Sequence, residues 1–449
     1  MLHHFPAIHD TVPPQGTPIE WDQAHVWHPF TPMAEWAATD PLVLESGLGA
    51  KLCDTAGRWY IDGNASIWTN IHGHRHPRLD AALRRQLDRV AHTSFLGFTN
   101  PVAAQLCAEL SALWPPNTLT RVFLSDDGST AVEVALKMAV QFCQQTGHGQ
   151  RRRFVAFRGG YHGDTMGASS LGGIPLFHER FAAWQFPVEH VTDLAGLESL
   201  LSDEIAAVVI EPLVQGANEI RLWPAGLLAQ LRAWCDRTGV LLIADEVMTG
   251  FGRTGTLFAC EREGVVPDFV ALAKGLTGGY MPLAATLTSE RIFEAFLGGR
   301  ERTLYYGHSY AGHPLACAVA LESLAIFREE RVLERLQGQI VRMTEWLGAL
   351  IRPLPWVYEI RQCGFLAGIE LRQLDGTVFP VESRVGARVC LAARQGGLLT
   401  RPIRDTLVLM PPFCITDAEL EEAVRILAEA VVACLGLPSD AEKGILGRS

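Results

Sequence analysis

The chain reads as an α/β protein: a large domain with a mainly parallel central sheet, and a smaller α+β domain built from both chain ends. Three observations lead there. The runs Phe154–Phe157, Ala206–Ile210 and Val240–Ala244 are short and almost wholly apolar, as strands covered on both faces must be. Helical patterns lie between them, and alternating strand and helix calls for parallel strands joined by crossover helices. Each run is followed by a polar or acidic residue, so candidate sites lie at the carboxyl ends of the strands.

Residues 1–18 are proline-rich and read as a mobile tail. From Trp27 to Asp62, prolines and glycines separate short extended runs such as Leu42–Leu44 and Lys51–Cys53. Thr55-Ala56-Gly57 ahead of Trp59–Ile61 signals a hairpin. His76-Pro77 opens a helix with Leu79, Leu83, Leu87 and Val90 on one stripe, and a second helical pattern covers Val102–Leu113. Arg121–Leu124 is a short strand. Thr130–Phe142 is a helix, with Thr130 and Glu133 matching a capping box. Gly226–Arg237 is helical, and Pro314 starts a further helix.

After Arg331 the character changes. Residues 333–350 form an amphipathic helix pattern, Glu359–Arg361, Leu366–Leu371 and Thr406–Met410 read as strands, and Asp417–Leu435 is a last helix stopped by Gly436 and Pro438. The expected boundaries are 1–18 for the tail, 19–77 and 331–449 for the two parts of the small domain, and 78–330 for the large one.

The bulk numbers narrow the function. A chain of 449 residues with 48% hydrophobic and 19% charged residues has ample core for a soluble globular protein. A net charge of −11 argues against nucleic acid or an anionic membrane as partner, and the short cluster Arg151–Arg153 reads as a solvated face. Ten cysteines fall as singletons without metal-ligand spacing, which fits a reduced compartment rather than a disulfide framework or zinc site. The N-terminus lacks a signal-peptide pattern and no apolar run is long enough to span a bilayer, so the expected address is cytoplasmic, with no membrane.

The chemistry centres on Phe269–Thr288, twenty residues with one charge, Lys274. Burial lowers a lysine's pKa, which suits a Schiff-base nucleophile; taken alone, a lysine there more often snorkels to the surface. Asp245 ends the preceding candidate strand, 274 − 245 = 29 residues earlier, a spacing that lets both strand tips meet. A lysine that forms an imine and an acid that faces a ring nitrogen together suggest pyridoxal 5′-phosphate. Ser125–Thr130 joins a strand to a helix through small residues and can cradle a phosphate, although an ordinary N-cap explains it equally. Tyr161, in a glycine-rich bend, can stack on a cofactor ring, or simply pack at the surface. Gly307-His308-Ser309 is a small-residue turn able to donate to a phosphate, and Arg401 can grip a carboxylate, against the commoner fate of a surface arginine.

Gly250–Gly255 matches the dinucleotide pattern G-x-G-x-x-G and raises a nicotinamide-dependent dehydrogenase as a rival. That fingerprint needs strand, tight turn and helix in immediate succession, and here five residues intervene and Pro267 follows. A non-enzymatic scaffold leaves Lys274 unexplained.

The segments IEPLVQGA, LLIADEVMTGFGRTG, ALAKGLTGGYMPLA and GHSYAGHPLACA resemble the class III aminotransferases of the fold-type-I pyridoxal phosphate enzymes, in the family's order and from about Trp27 to Leu435. WHPFTPM, IHGHRHP, SDDGSTAVEVALKMA, GGYHGDT and LLTRP with LMPP resemble the branch that converts 8-amino-7-oxononanoate to 7,8-diaminononanoate in biotin biosynthesis.

The resemblance implies roles. Lys274 is the Schiff-base lysine and proton carrier, Asp245 faces the pyridinium nitrogen and Tyr161 lies by the ring. Gly128 and Ser129 hold the phosphate, with His308 and Ser309 supplied by the other subunit of a homodimer. Gly307 meets the substrate through its backbone, and Arg401 binds the oxononanoate carboxylate. Three positions depart from the pattern of enzymes that use S-adenosylmethionine as donor: Phe30 stands for a tyrosine, Ile67 for a tryptophan and Val408 for a tyrosine. Phe30 and Ile67 would still line the substrate path, and the surrounding sequence is closer to the lysine-using branch. A general ω-amino acid aminotransferase is the alternative.

Overall fold

The computed structural model describes residues 15–437. Most of the expected N-terminal tail, and the expectation of a mobile last dozen, lie outside the described residues. Order begins earlier than position 19: Thr17 and Glu20 form a reciprocal capping box ahead of the helix Pro18–His25.

Seven strands form the central sheet, in the order Arg121–Ser125, Ala284–Thr288, Phe269–Leu272, Leu241–Asp245, Ile205–Ile210, Arg153–Phe157 and Val188–Val191. Ala284–Thr288 runs antiparallel to both neighbours; the other pairings are parallel. Strand residues alternate between two apolar layers. Leu242, Ala244, Val270 and Leu272 pack with Leu231 and Trp234 of the helix Leu227–Thr238. Ile243, Phe269 and Ala271 pack with Ala131, Val132 and Ala135 of the helix Gly128–Gln145. Helices on both faces explain why these strands read as continuous apolar runs. The helices Pro101–Ala112 and Pro314–Glu329 add to the first layer.

Two further four-stranded sheets follow, and the first joins both chain ends. Leu44–Leu48, Lys51–Asp54 and Trp59–Asp62 form an antiparallel meander, which Leu398–Leu399 joins in parallel beside Ile61 and Asp62. Val357–Gln362, Ala367–Leu371, Thr406–Leu409 and Pro402–Ile403 make the other sheet, and the helices Val385–Gln395 and Asp417–Leu435 pack together nearby.

Four local expectations change. The helix opened by Pro77 stops at Leu87, and Leu87 and Val90 are exposed, so the buried stripe is Leu79 and Ala82. Asp127, not Thr130, caps the helix Gly128–Gln145: its carboxylate accepts the Thr130 N–H at 2.8 Å. Arg151 is not a free surface cation, because its guanidinium donates to the carbonyls of Thr238 and Gly239 at 2.8 and 2.7 Å, closing the C-terminus of a helix. Gly250–Gly255 runs through turns into the short 3-10 turn Ala259–Glu263, so the strand–turn–helix of a dinucleotide site is absent.

Ile243 is fully buried two residues before the acid that ends its strand. Ile243→Ala is expected to destabilise the chain by about 2–5 kcal/mol, measurable as a lowered denaturation midpoint with unchanged m-value.

Candidate active site

The parallel register between Leu241–Asp245 and Phe269–Leu272 pairs Asp245 with Ala271. The second strand ends at Leu272, and the chain turns at Lys274 with φ +42°, a conformation that carries a non-glycine residue only where the surroundings enforce it. Asp245 and Lys274 therefore reach one cavity of about 730 Å³, lined also by Gly128, Ser129, Tyr161 and Trp68. Lys274 stands at the cavity wall beneath the Trp68 ring, with Nζ 5.3 Å from the ring centroid. Burial lowers the lysine's pKa, opposed by the negative charges of Asp245 and Glu211.

Asp245 is 4% exposed. Its Oδ2 accepts from His162 Nδ1 at 2.7 Å and its Oδ1 from the Val247 N–H at 3.1 Å. For His162, burial disfavours the imidazolium, yet the bond to Asp245 overrides it and the net shift is upward. Glu211 follows the strand Ile205–Ile210 and accepts the Tyr161 N–H at 3.0 Å and the Gly216 N–H at 2.8 Å, which ties the tyrosine loop to the strand end. Burial raises its carboxyl to about 7, against the pull of His162. Glu246, by contrast, points into the core and accepts the N–H groups of Ala259 and Cys260, a structural acid.

The helix starting at Gly128 directs its first turn into the same cavity. Among the described residues the N–H groups of Gly128 and Ser129 have no partner within the chain, and the helix dipole adds positive potential there. The tyrosine loop lies so close that a Cβ on Gly163 would sit 2.3 Å from the Ser129 hydroxyl; only glycine fits, and its φ of +117° also requires one. Ser129 Oγ accepts the Thr165 N–H at 3.0 Å, while Glu133 accepts the Thr165 hydroxyl at 2.7 Å. Tyr161 donates its hydroxyl to Asp164 at 2.6 Å and meets Phe177 edge-on at 5.7 Å. Burial, with that bond, holds the phenol protonated.

One wall is strained. Ala65, Ser66, Ile67 and Trp68 have φ of +44°, +48°, +62° and +68°, a left-handed turn that costs L-residues about 1–2 kcal/mol each. Asp62 holds it: Oδ1 accepts the Ser66 N–H at 3.0 Å, and Oδ2 accepts the Ser66 hydroxyl at 2.8 Å and His74 Nε2 at 3.0 Å. The Trp68 indole N–H donates to Asn64 Oδ1 at 2.8 Å. Below it, the fully buried Arg253 donates to the carbonyls of Pro411 and Asn70 and packs on Phe413. Burial lowers that guanidinium to about 9, and Asp62 supplies the opposing charge.

The residues singled out in the sequence thus divide. Lys274, Asp245, Tyr161, Gly128 and Ser129 converge on the cavity. Phe30, Ile67, Gly307, His308, Ser309 and Arg401 do not line it within this chain. Phe30 is exposed but contacts Phe177 at 5.7 Å, at the outer end of an aromatic series leading to Tyr161. Ile67 is half-exposed at the tip of the left-handed turn. His308 Nε2 is 3.4 Å from Asp126, which lines the cavity, while Gly307, Ser309 and Arg401 are exposed. Sequence reasoning missed His162 and Asp62 as partners, although His162 sits inside the GGYHGD segment singled out for Tyr161 and Asp62 directly follows the hairpin run Trp59–Ile61.

Comparison with known proteins identifies the family and the fold. The aminotransferase class-III family profile matches residues 33–431. The chain is 48% identical over 440 residues to the adenosylmethionine-8-amino-7-oxononanoate aminotransferase of Nitratidesulfovibrio vulgaris, covering 92% of this chain and 81% of that one. The crystal structure of the enzyme of that name from Methanocaldococcus jannaschii superposes with a TM-score of 0.90 at 37% identity, covering 93% and 99%. An amine transaminase from an uncultivated Pseudomonas species, solved in its PLP-bound form, gives 0.87 at 33% identity, covering 91% and 99%.

Because burial lowers the Lys274 pKa and Asp245 opposes that shift, Lys274 in the cofactor-free chain should be reductively methylated with a pH midpoint below that of free lysine. Asp245→Asn removes the opposing charge and should move the midpoint lower still. Mass spectrometry of the Lys274 peptide across pH checks both; an upward move would contradict the assignment.

Proposed function

Because the chain belongs to the class III aminotransferases, we propose that it transfers an amino group to 8-amino-7-oxononanoate, giving 7,8-diaminononanoate in biotin biosynthesis. The observation that carries this is the convergence of Lys274, Asp245 and an unsatisfied helix N-terminus on one cavity. The same three features fit pyridoxal 5′-phosphate by the chemistry of the donor set. Free N–H groups at Gly128 and Ser129 suit the phosphate, Asp245 suits a protonated ring nitrogen, and Lys274 suits the aldehyde. When bound, the cofactor supplies the carbonyl that carries the amino group and the ring that takes up the electron pair released at the substrate carbon.

The chain's own groups then have defined work. Lys274, its ammonium disfavoured by burial, takes a proton at Nζ and returns it, a task that needs a pKa near the working pH. His162 keeps Asp245 oriented. Tyr161 presents its ring to the cavity with its hydroxyl fixed by Asp164. Donor and oxo acid use the cavity in turn. Gly307 and Arg401 would bind the acceptor, with Arg401 gripping its carboxylate, and Phe30 and Ile67 would border the entrance. His308 and Ser309 would complete the phosphate site of a partner subunit in a homodimer. The working compartment is proposed to be cytoplasmic; among the described residues no helix is long and apolar enough to cross a membrane.

The amino donor is S-adenosylmethionine or L-lysine. The names of the relatives favour the first; Phe30, Ile67 and Val408 favour the second. A general ω-amino acid aminotransferase is a second reading, favoured by the likeness to an amine transaminase.

Lys274→Ala should abolish formation of 7,8-diaminononanoate, and purified enzyme should turn over 8-amino-7-oxononanoate with one of the two donors. Activity restricted to other ω-amines would shift the assignment to the second reading.

A further inference from the structure

Asp62 lies outside the cavity, buried, and has no part in the chemistry above, yet three hydrogen bonds converge on its carboxylate. Two of them come from Ser66, in the left-handed run Ala65–Trp68. None of those four residues favours positive φ, and a β-branched Ile67 there is a marked outlier. Such a segment keeps its shape only if something holds it. The run ends in Trp68, whose ring faces Lys274 and, with Met248, crowds Gly216, where a Cβ would sit 3.0 Å from each.

We propose that Asp62 is a positioning residue for amino transfer: through Ser66 it holds the left-handed turn that keeps the Trp68 ring against Lys274. The role in turnover rests on the aminotransferase reading; the effect on Lys274 does not. Asp62 sits on the strand Trp59–Asp62, which pairs with Leu398–Leu399, two residues before Arg401. The same strand end thus anchors the Lys274 wall and the segment leading to the proposed carboxylate grip.

The test uses the holoenzyme for kinetics and the full chain freed of cofactor for labelling. Asp62→Asn keeps the side-chain shape but removes a charge and one strong acceptor. It should raise substrate KM by about tenfold with a much smaller change in kcat, and speed reductive methylation of Lys274 severalfold relative to Lys51. Because Asp62 also faces Arg253, Ser66→Ala is the control. It leaves that charge in place, loses one bond, and should shift both readouts in the same direction by less. A glycine at position 66 takes positive φ freely, so the double variant Asp62→Asn/Ser66→Gly should recover most of the loss. A purely structural Asp62 would give no such rescue. Unchanged KM and unchanged Lys274 labelling in folded Asp62→Asn overturn the proposal; if that variant does not fold, unchanged values in Ser66→Ala do so. Altered labelling in an enzyme inactive on 8-amino-7-oxononanoate leaves the positioning standing and removes the substrate assignment.

Discussion

The hydrogen bond between Asp245 and His162 is the interaction on which the site depends. A carboxylate this deeply buried has to find its hydrogen-bond partners within the protein. His162 Nδ1 holds one of its oxygens at 2.7 Å, and the Val247 N–H fixes the other. The strand order makes the pair possible. Asp245 ends one central strand, while His162 follows the strand Arg153–Phe157 two positions across the sheet. Glu211, at the end of the strand between them, pins the intervening loop through the Tyr161 N–H. Three adjacent strand ends therefore supply one electrostatic unit, as parallel α/β sheets allow at their carboxyl edge.

That unit also governs Lys274. Desolvation pulls its pKa down and two neighbouring carboxylates pull it back, so the amine is tuned by competition rather than by burial alone. The backbone contributes strain on the opposite side: Lys274 itself and the run Ala65–Trp68 all have positive φ. Strained residues gathered around one reactive amine have a common logic. The folded core, with its two helix-covered faces, is stable enough to impose conformations that the local sequence resists.

Much of this was legible in the sequence, and for physical reasons. Strands covered on both faces leave a continuous apolar run, so the central sheet could be read from Ala206–Ile210 or Phe269–Leu272 directly. Lys274 stood out because burial excludes charge, and Asp245 because it ended such a run. What was hidden is what depends on long-range contact or on backbone dihedrals. Nothing local marks Asp127 rather than Thr130 as the cap, since both residue types cap helices well. Arg151 looks like any surface arginine until the helix end at Thr238 is brought beside it. The left-handed run at Ala65–Trp68 contains no glycine or asparagine, the residues that normally announce positive φ.

The distribution of polar groups within the cavity bears on how one site can serve two amino-group carriers. Lys274, Asp245, His162 and Glu211 all cluster at the inner end, where the reacting atoms must lie whichever compound is bound. Those groups cannot discriminate between donors, because donor and acceptor must both reach them. Discrimination has to come from the outer boundary, where the proposed entrance would offer rings and branched apolar groups. Phe30 and Phe177 continue the aromatic series from Tyr161, and Ile67 caps the strained turn. Phenylalanine in place of tyrosine at position 30 supplies a face without a hydroxyl. A donor with its own charged groups must then be recognised by residues beyond that series rather than by polar contacts along it. The identity of the donor is therefore a question about the rim, while the reaction class is fixed by the floor.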